Sequence, residues 1–216
     1  MKNRRFLSAM LLALCAALCL VTGSSSVQAQ ASNTAQAESK NEETNLDTQL
    51  YLIVGTNQDV VESKLPALLD PVVKQLRATL PFKNYRLAAT LLNRVKNEAR
   101  LELSWISGPL ASSSANSTLT PSFSQFRVRQ VKLVRNSEGQ QMVQMQSFNF
   151  GARIPIQTSG AIAANGAVAP VINYENTGLA TDISMRESEP VIVGTLNVGT
   201  SGDAIILVVS AKRTQK

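Results

Sequence analysis

The sequence predicts an α+β fold, in which a short strand–helix–strand–strand unit precedes a mostly antiparallel β-domain of about six strands. Leucines recur at helical spacing within residues 65–80. Apolar and polar residues alternate through most of the remaining chain, and glycine, proline, asparagine and serine separate the alternating runs. We therefore expect an α/β unit at residues 49–106, a linker at 107–122 and a β-domain at 123–213. The two folded parts can share one sheet or sandwich.

The N-terminus has the pattern of a secretory signal peptide. Three basic residues near the start precede the uncharged apolar run Phe6–Val21, and small residues follow up to Ala29. The run is shorter than the roughly 20 apolar residues of a membrane-spanning helix. We expect residues 1–29 to be removed, leaving no membrane span. The protein is then exported to the periplasm or cell envelope, with release from the cell as the alternative.

Composition excludes several common kinds of site. Both cysteines, Cys15 and Cys19, lie within the signal segment, and the sequence has no histidine. The exported chain therefore lacks a disulfide scaffold, the commonest general base and the commonest transition-metal ligand. We expect no catalytic residue, no metal and no cofactor. The signal also supplies part of the net charge of +6, which weakens the case for an anionic partner such as nucleic acid.

The first folded unit is predicted to begin after a polar segment. Residues 30–48 are too poor in large apolar side chains to pack, which indicates a flexible tether or a plain disordered N-terminus left by processing. The β-branched run Leu50–Val54, followed by Gly55, predicts a buried strand.

Helical spacing predicts a helix from Pro71 to Leu80, and Pro81 ends it. Two starts are compatible with the sequence. Pro66 suits a first helical position, and Asp70 with Pro71 suits an N-cap followed by the first helical residue.

Residues 85–105 are compatible with either a helix or a hairpin. Leu87, Leu91, Val95 and Ala99 lie four apart, as in a helix. Alternation within 85–91 and 101–105 favours strands instead, with a tight turn at residues 96–97. We predict two strands joined as a hairpin.

The β-domain is predicted from alternation and turn signals. A glycine- and alanine-rich loop is expected at Gln157–Pro170. The last strand is apolar on both faces, which is typical of a central strand. The predicted strands are Phe126–Val134, Met142–Ile156, Val171–Tyr174, Leu179–Met185, Val191–Val198 and Ala204–Ala211.

Nucleophiles and carboxylates occur without a recognisable catalytic motif. Ser63–Lys64 and Ser210–Lys212 each place a serine near a lysine, and chance proximity explains both. The acidic residues around the turn at 187–190 are better explained as a solvated turn than as a paired-carboxylate site. These are Glu175, Asp182, Glu187 and Glu189.

A basic run is the strongest charge pattern. Arg127 and Arg129 lie on one face of the predicted strand Phe126–Val134, and Lys132 and Arg135 extend the basic character. The four residues form a candidate surface-contact patch. Contact with anionic lipid or glycan is one interpretation. Protection of a solvent-facing or edge strand against aggregation is the other, and it is favoured.

Three segments of the C-terminal third occur in a familiar order: NTGLATDISM at 176–185, PVIVGTL at 190–196 and IILVVS at 205–210. This order resembles the β-domain of bacterial outer-membrane secretins, over residues 176–211. Thr195 replaces the second glycine of the family's G-G-L motif, and the turn at 188–190 lacks a glycine. Residues 50–106 are more similar to small exported bacterial proteins of unknown function. Both resemblances imply an envelope-associated, non-catalytic protein.

The favoured function is a binding or structural role in the cell envelope, as an accessory to a secretin-like assembly, with a protein partner recruited through an exposed strand edge. The alternative is an unusual hydrolase or carbohydrate-active enzyme using Ser–Lys or carboxylate chemistry. A concave pocket with converging Glu175, Asp182 or Ser–Lys side chains would favour the enzyme. Apolar edge strands would favour the binding protein.

Overall fold

Strands dominate the described part of the chain, where one α-helix covers a sheet. The computed structural model describes residues 44–59, 64–108, 110, 120–162, 168–198 and 202–214. They belong to one unit, Glu42–Lys216. The helix α1 spans Asp70–Thr79. The strands in these ranges are β1 Asn45–Thr56, β2 Asn84–Lys96, β3 Leu101–Ser107, β4 Ser122–Val128, β5 Gln130–Arg135, β6 Gln141–Ile162, β7 Val168–Arg186, β8 Val191–Val198 and β9 Asp203–Arg213.

Sheet A has the antiparallel order β2-β1-β9-β8. Its two central strands come from opposite ends of the chain, with Leu50 opposite Val209 and Leu52 opposite Leu207. Residues 203–211 of β9 are all buried, which confirms the predicted central strand. Gly55 does not end β1, because the strand continues to Thr56 and stays paired with β2.

Sheet B is built around β6. The strands β4 and β5 pair in turn along one side of β6, and β7 pairs along its other side. The strand β3 pairs with β4 at the far edge. All these pairings are antiparallel, as the sequence predicts for most of the β-domain.

The two faces of sheet A are covered differently, which gives three layers. The helix α1 covers one face, where Val72 and Leu76 belong to the same core cluster as Ile53 and Ile206 of the sheet. The other face packs against sheet B in a larger core that includes Leu52, Phe126 of β4, and Phe148 and Phe150 of β6. Burial of these apolar side chains is the main stabilising contribution.

The predicted helix is confirmed, and its start is resolved. A 3₁₀ turn, Ala67–Leu69, follows Pro66, and α1 begins at Asp70. Leu69 is the N-cap and makes no side-chain capping hydrogen bond, so the predicted capping role of Asp70 is wrong. Pro71 lies in the first turn, where its missing N–H removes no intrahelical hydrogen bond.

The predicted hairpin at residues 85–105 is wrong, although both strands form. The strand β2 pairs with β1 in sheet A, and β3 pairs with β4 in sheet B. The turn between them is fixed to both sheets: the Asn97 amide donates to the Thr44 carbonyl at 2.9 Å, and the Glu98 amide donates to the Val131 carbonyl at 2.8 Å. Alternation specifies which face of a strand is buried, but it does not specify the neighbouring strand.

Two further predictions in the β-domain are corrected. The predicted strand at residues 126–134 is two strands, β4 and β5, interrupted at Arg129. The predicted loop Gln157–Pro170 is largely strand, because β6 continues to Ile162 and β7 begins at Val168. Pairing between these strands outweighs the low β-propensity of glycine and alanine.

Three predicted segments lie wholly or partly outside the described residues. They are the signal at 1–29, the tether at 30–48 and the linker at 107–122. Their boundaries stay predictions.

Two carboxylates hold the end of β9. Glu187 accepts hydrogen bonds from the backbone nitrogen of Arg213 at 2.9 Å and from its Nε at 3.0 Å. Asp47 accepts from Arg94 Nε at 2.8 Å and from Thr214 Oγ1 at 3.1 Å. Burial raises the pKa of Glu187, but the hydrogen bonds and charge of Arg213 outweigh it, so the pKa is lowered. The Arg94 hydrogen bond is the main cause of the lowered pKa of Asp47.

We expect Glu187→Gln to reduce the free energy of unfolding at pH 7 by about 1 kcal/mol, because it removes a charged acceptor. A carboxylate whose pKa is lowered by folding stabilises the protein above its unfolded pKa, and this contribution is lost as the pH falls through the folded pKa. The stability difference between variant and wild type should therefore decrease as the pH falls below the unfolded pKa. Urea denaturation from pH 7 to pH 3 measures it, with Glu138→Gln in an exposed turn as the control. If the stability difference between Glu187→Gln and wild type does not change with pH, the stabilising role given to the ionised Glu187 carboxylate is wrong.

Candidate functional site

The outer face of sheet B carries an open groove of 530 Å³, here called the outer groove. The inner face of the sheet buries Phe126 and Phe150 in the core. Side chains alternate along a strand, so the intervening residues lie on the outer face. Residues that line the outer groove include Ser104, Ile106, Phe123, Gly151, Arg153 and Asn176.

The wall of the outer groove on the β3 side is apolar and exposed. Ile106 is 68% exposed and Phe123 is 40% exposed. They are directly opposite each other in the β3–β4 register, and Phe123 is opposite Arg153 in the β4–β6 register. An exposed cluster of large apolar side chains is a feature of binding surfaces.

The floor of the outer groove lacks side chains at its centre. Gly151 of β6 is opposite Gly178 of β7. A Cβ atom added at Gly151 would meet nothing within 4 Å, so this position is open to the groove. Glycine inside a strand often marks a site where a ligand or another backbone approaches closely.

Arg153 is held in place by an aromatic ring. Its guanidinium carbon lies 5.5 Å from the ring centroid of Tyr174, a cation–π contact. The Tyr174 hydroxyl donates to the Pro121 carbonyl at 3.2 Å, and the Tyr174 ring is 5.8 Å from that of Phe123. Among the described residues, Arg153 is the one charged side chain that lines the outer groove.

The predicted basic patch is divided by the break at Arg129. Arg127 forms an ion pair with Glu102 at 2.8 Å, and Lys132 forms one with Glu98 at 3.5 Å. Arg129 donates to Gln146 Oε1 at 3.3 Å, whereas Arg135 lies exposed at the end of β5. The surface-contact role proposed for Arg127, Arg129, Lys132 and Arg135 stays a prediction.

The acidic residues considered for catalysis do not converge in the groove. Asp182 accepts a hydrogen bond from the Ser147 amide at 2.6 Å, next to an irregularity in the β6–β7 pairing. Glu187 is bound to Arg213, and Glu189 lies 3.9 Å from Arg186. None of the four candidates, Glu175 included, lines the outer groove.

The Ser–Lys candidates are likewise not arranged for catalysis. Ser210 is buried, whereas Lys212 is exposed near the end of β9. Ser63 lies outside the described residues. Within the ranges that the structure covers, no cluster of three potential metal-ligating residues is found. The helical residues in those ranges also include no segment with the length and apolarity to span a membrane.

Judged from the described residues alone, β3 is the least protected of the strands at sheet edges. The strand β2 carries three basic residues, and irregular pairing interrupts both β7 and β8. The strand β5 carries Lys132 and Arg135, and the backbone of its Val131 is hydrogen-bonded to the turn at residues 98–99. The seven residues of β3 pair with β4 without a bulge and include neither proline nor a basic residue. Such features leave an edge open to pairing with another strand.

Phe123, Arg153 and Tyr174 are not predicted from the sequence to lie together. The spacing of Phe123 and Phe126 does predict that they lie on opposite faces, since residues three apart on a strand point in opposite directions. Burial of one therefore predicts exposure of the other. The approach of Tyr174 to Arg153 required the β6–β7 pairing, which the predicted loop at 157–170 obscured.

Comparisons with known proteins find similarity in structure alone. No protein-family model and no curated protein matches the chain. The chain is similar to the secretin InvG of the Salmonella SPI-1 type III secretion injectisome, at 9% identity and a TM-score of 0.33, over 81% of this chain and 66% of that chain. It is also similar to the V. cholerae type IV competence pilus secretin PilQ, at 12% identity and a TM-score of 0.30, over 81% and 58%.

A third match is a chain of the Klebsiella pneumoniae type II secretion system outer membrane complex, with PulD, PulS and the PulC HR domain. It has 10% identity and a TM-score of 0.33, over 81% of this chain and 39% of that chain. This chain thus spans less than two thirds of each of the three chains. The predicted resemblance to secretins is confirmed as a distant similarity of structure.

Proposed function

We propose that this chain is an exported, envelope-associated, non-catalytic protein that binds a protein partner through the edge strand β3. The main support for the proposal is that β3 is a regular strand without a basic residue or proline. Its Ile106 side chain is 68% exposed. An extended segment of a partner can continue sheet B there by β-augmentation.

The charge on β3 does not oppose such pairing. Glu102, its one charged residue, is ion-paired with Arg127 on the neighbouring strand. On the inner face, Leu103 and Trp105 are only partly buried, and they pack against the core. A partner strand with apolar side chains would remove more of this surface from water, which favours association by roughly 25 cal/mol per Å² of apolar area.

The envelope location rests on the sequence. Residues 1–29 have the pattern of a secretory signal, and the motifs within 176–211 resemble secretins. An accessory role in a secretin-like envelope assembly follows as the finer part of the proposal. The alternative hydrolase would need its carboxylates or a Ser–Lys pair in one cleft, and the geometry around Asp182, Glu187 and Ser210 does not support that arrangement.

Ile106→Lys is expected to abolish partner recovery, because a lysine on an edge strand opposes pairing with another strand. The matched control is Leu92→Lys, since Leu92 is 63% exposed on β2 of the other sheet. Tagged full-length variants would be purified from membranes under mild detergent, and the proteins that co-purify would be quantified. We expect wild type and Leu92→Lys to recover the same complex, and Ile106→Lys to recover only a trace of it.

Equal recovery by both variants would contradict binding at β3. A wild-type protein that purifies as a soluble monomer without a partner would contradict the proposed function itself. Turnover of a substrate that a single serine or carboxylate substitution abolishes, with folding intact, would favour the enzyme instead.

A further inference from the structure

The described residues that line the outer groove include one charged side chain, Arg153, and the others are uncharged. The Arg153 guanidinium is a planar, positively charged donor, and the Tyr174 ring lies 5.5 Å from it. Within the described part of the chain, no carboxylate is ion-paired with Arg153. A preorganised arginine of this kind suits a carboxylate, which it can bind through two parallel hydrogen bonds.

The apolar wall lies close to this cation. Ile106, Phe123 and Arg153 are consecutive partners across β3, β4 and β6. Neighbouring strands are about 4.8 Å apart, so the apolar side chains lie roughly 5 to 10 Å from the arginine. A ligand that contacts both the arginine and these apolar side chains must carry its negative charge next to a bulky apolar group.

One cation also limits the charge of the ligand. Nucleic acids and anionic membranes gain affinity from several basic residues acting together. In the outer groove, Arg153 acts alone among the described residues, because the nearby Arg127 is already paired with Glu102. The arrangement therefore favours a single negative charge over a polyanion.

The size of the outer groove suits a short peptide segment. Its volume of 530 Å³ lies within the usual range of roughly 300 to 1,000 Å³ for ligand sites. The open position at Gly151 lets a ligand approach the strand backbone.

We propose that the outer groove binds the C-terminal residue of a polypeptide when that residue has an aromatic or branched apolar side chain. The terminal carboxylate pairs with Arg153, and the side chain packs against Phe123 and Ile106. A C-terminal residue carries both groups on one Cα, which gives the short separation that the groove requires. Ile106 belongs to both this site and the β3 edge, but Arg153 and Gly151 lie on β6 and belong to the outer groove alone. Substitutions at those two positions therefore test this proposal independently of strand pairing at β3.

Calorimetric titration of the full exported chain with a five-residue peptide ending in phenylalanine tests the site. We expect the free-acid peptide to bind at least tenfold more tightly than the same peptide with a C-terminal amide. Arg153→Gln should remove this preference, because the amide side chain has no positive charge. Arg135→Gln is the control, since Arg135 lies on β5 and does not line the outer groove.

Gly151→Val provides a second test that leaves the charge of the groove unchanged. The added side chain would occupy the floor, and its Cβ has no neighbour within 4 Å. We expect the melting temperature to be retained and the peptide affinity to fall at least tenfold.

Three results would overturn the proposal. They are equal affinity for the acid and the amide, unchanged binding by Arg153→Gln, and Arg153-dependent binding to phosphatidylglycerol vesicles in place of the peptide. Phenylpropionate tests the source of the carboxylate. If it binds as tightly as the free-acid peptide, the ligand is a small organic acid and the assignment to a polypeptide C-terminus is wrong.

Discussion

Phe148→Ala is expected to reduce the free energy of unfolding by about 3 to 5 kcal/mol, the usual effect of removing a fully buried aromatic ring. Phe148 has no exposed surface, and its ring centroid is 5.0 Å from that of Phe126 in the core between the two sheets. The loss would be a large share of the roughly 5 to 15 kcal/mol that stabilises a typical domain. Urea denaturation followed by the fluorescence of the single tryptophan, Trp105, measures it.

Phe123→Ala is the matched control for this prediction. Phe123 lies on the outer face of the same sheet and is 40% exposed, so we expect its loss to cost less than about 1 kcal/mol. Similar losses for the two substitutions would show that the faces of sheet B are not assigned correctly.

Gly178→Ala is expected to destabilise the protein by about 1 to 3 kcal/mol, the range for substitutions that force the backbone to move. A Cβ atom at this position would lie 2.7 Å from the backbone oxygen of Phe150, and a backbone atom cannot rotate away as a side chain can. The effect should appear as a lower denaturation midpoint without loss of secondary structure.

Gly151→Ala is the control, because Gly151 is the cross-strand partner of Gly178. Its added Cβ would meet nothing within 4 Å. We expect unchanged or slightly higher stability, since alanine reduces the conformational entropy of the unfolded chain. If both substitutions destabilise the protein equally, the β6–β7 register is wrong.

The distribution of buried surfaces favours sheet B over sheet A for the proposed binding. The central strands of sheet A are covered by α1 on one face and by sheet B on the other. On the outer face of sheet B, Phe123, Arg127 and Arg153 are exposed. The outer groove and the adjacent β3 edge, the two proposed binding sites, therefore lie on the part of sheet B that does not pack against sheet A.

Much of the architecture is predictable from short-range patterns. The leucine spacing identifies α1, and the two-sided apolar run identifies β9 as central. Strand partners depend on contacts between distant parts of the chain, which alternation does not encode. For this reason, alternation correctly predicts β2 and β3 as strands, but the predicted hairpin between them is wrong.

The groove is less predictable than the fold. The irregular pairing near Ser147 changes which residues of β6 face the core: Val143 and Met145 are buried before it, and Phe148 and Phe150 after it. If regular alternation is assumed from Val143 to Phe150, either the residues before the irregularity or those after it are assigned to the wrong face of the sheet. Arg153 and its aromatic neighbour can be placed on the outer face only when this shift is known.

Backbone hydrogen exchange, compared between the free chain and the complex isolated from membranes, tests binding at β3 most directly. We expect partner binding to slow exchange at Leu101–Ser107 and to leave the β2 edge unchanged. Slower exchange at β2 or β8, with β3 unaffected, would contradict binding at this edge.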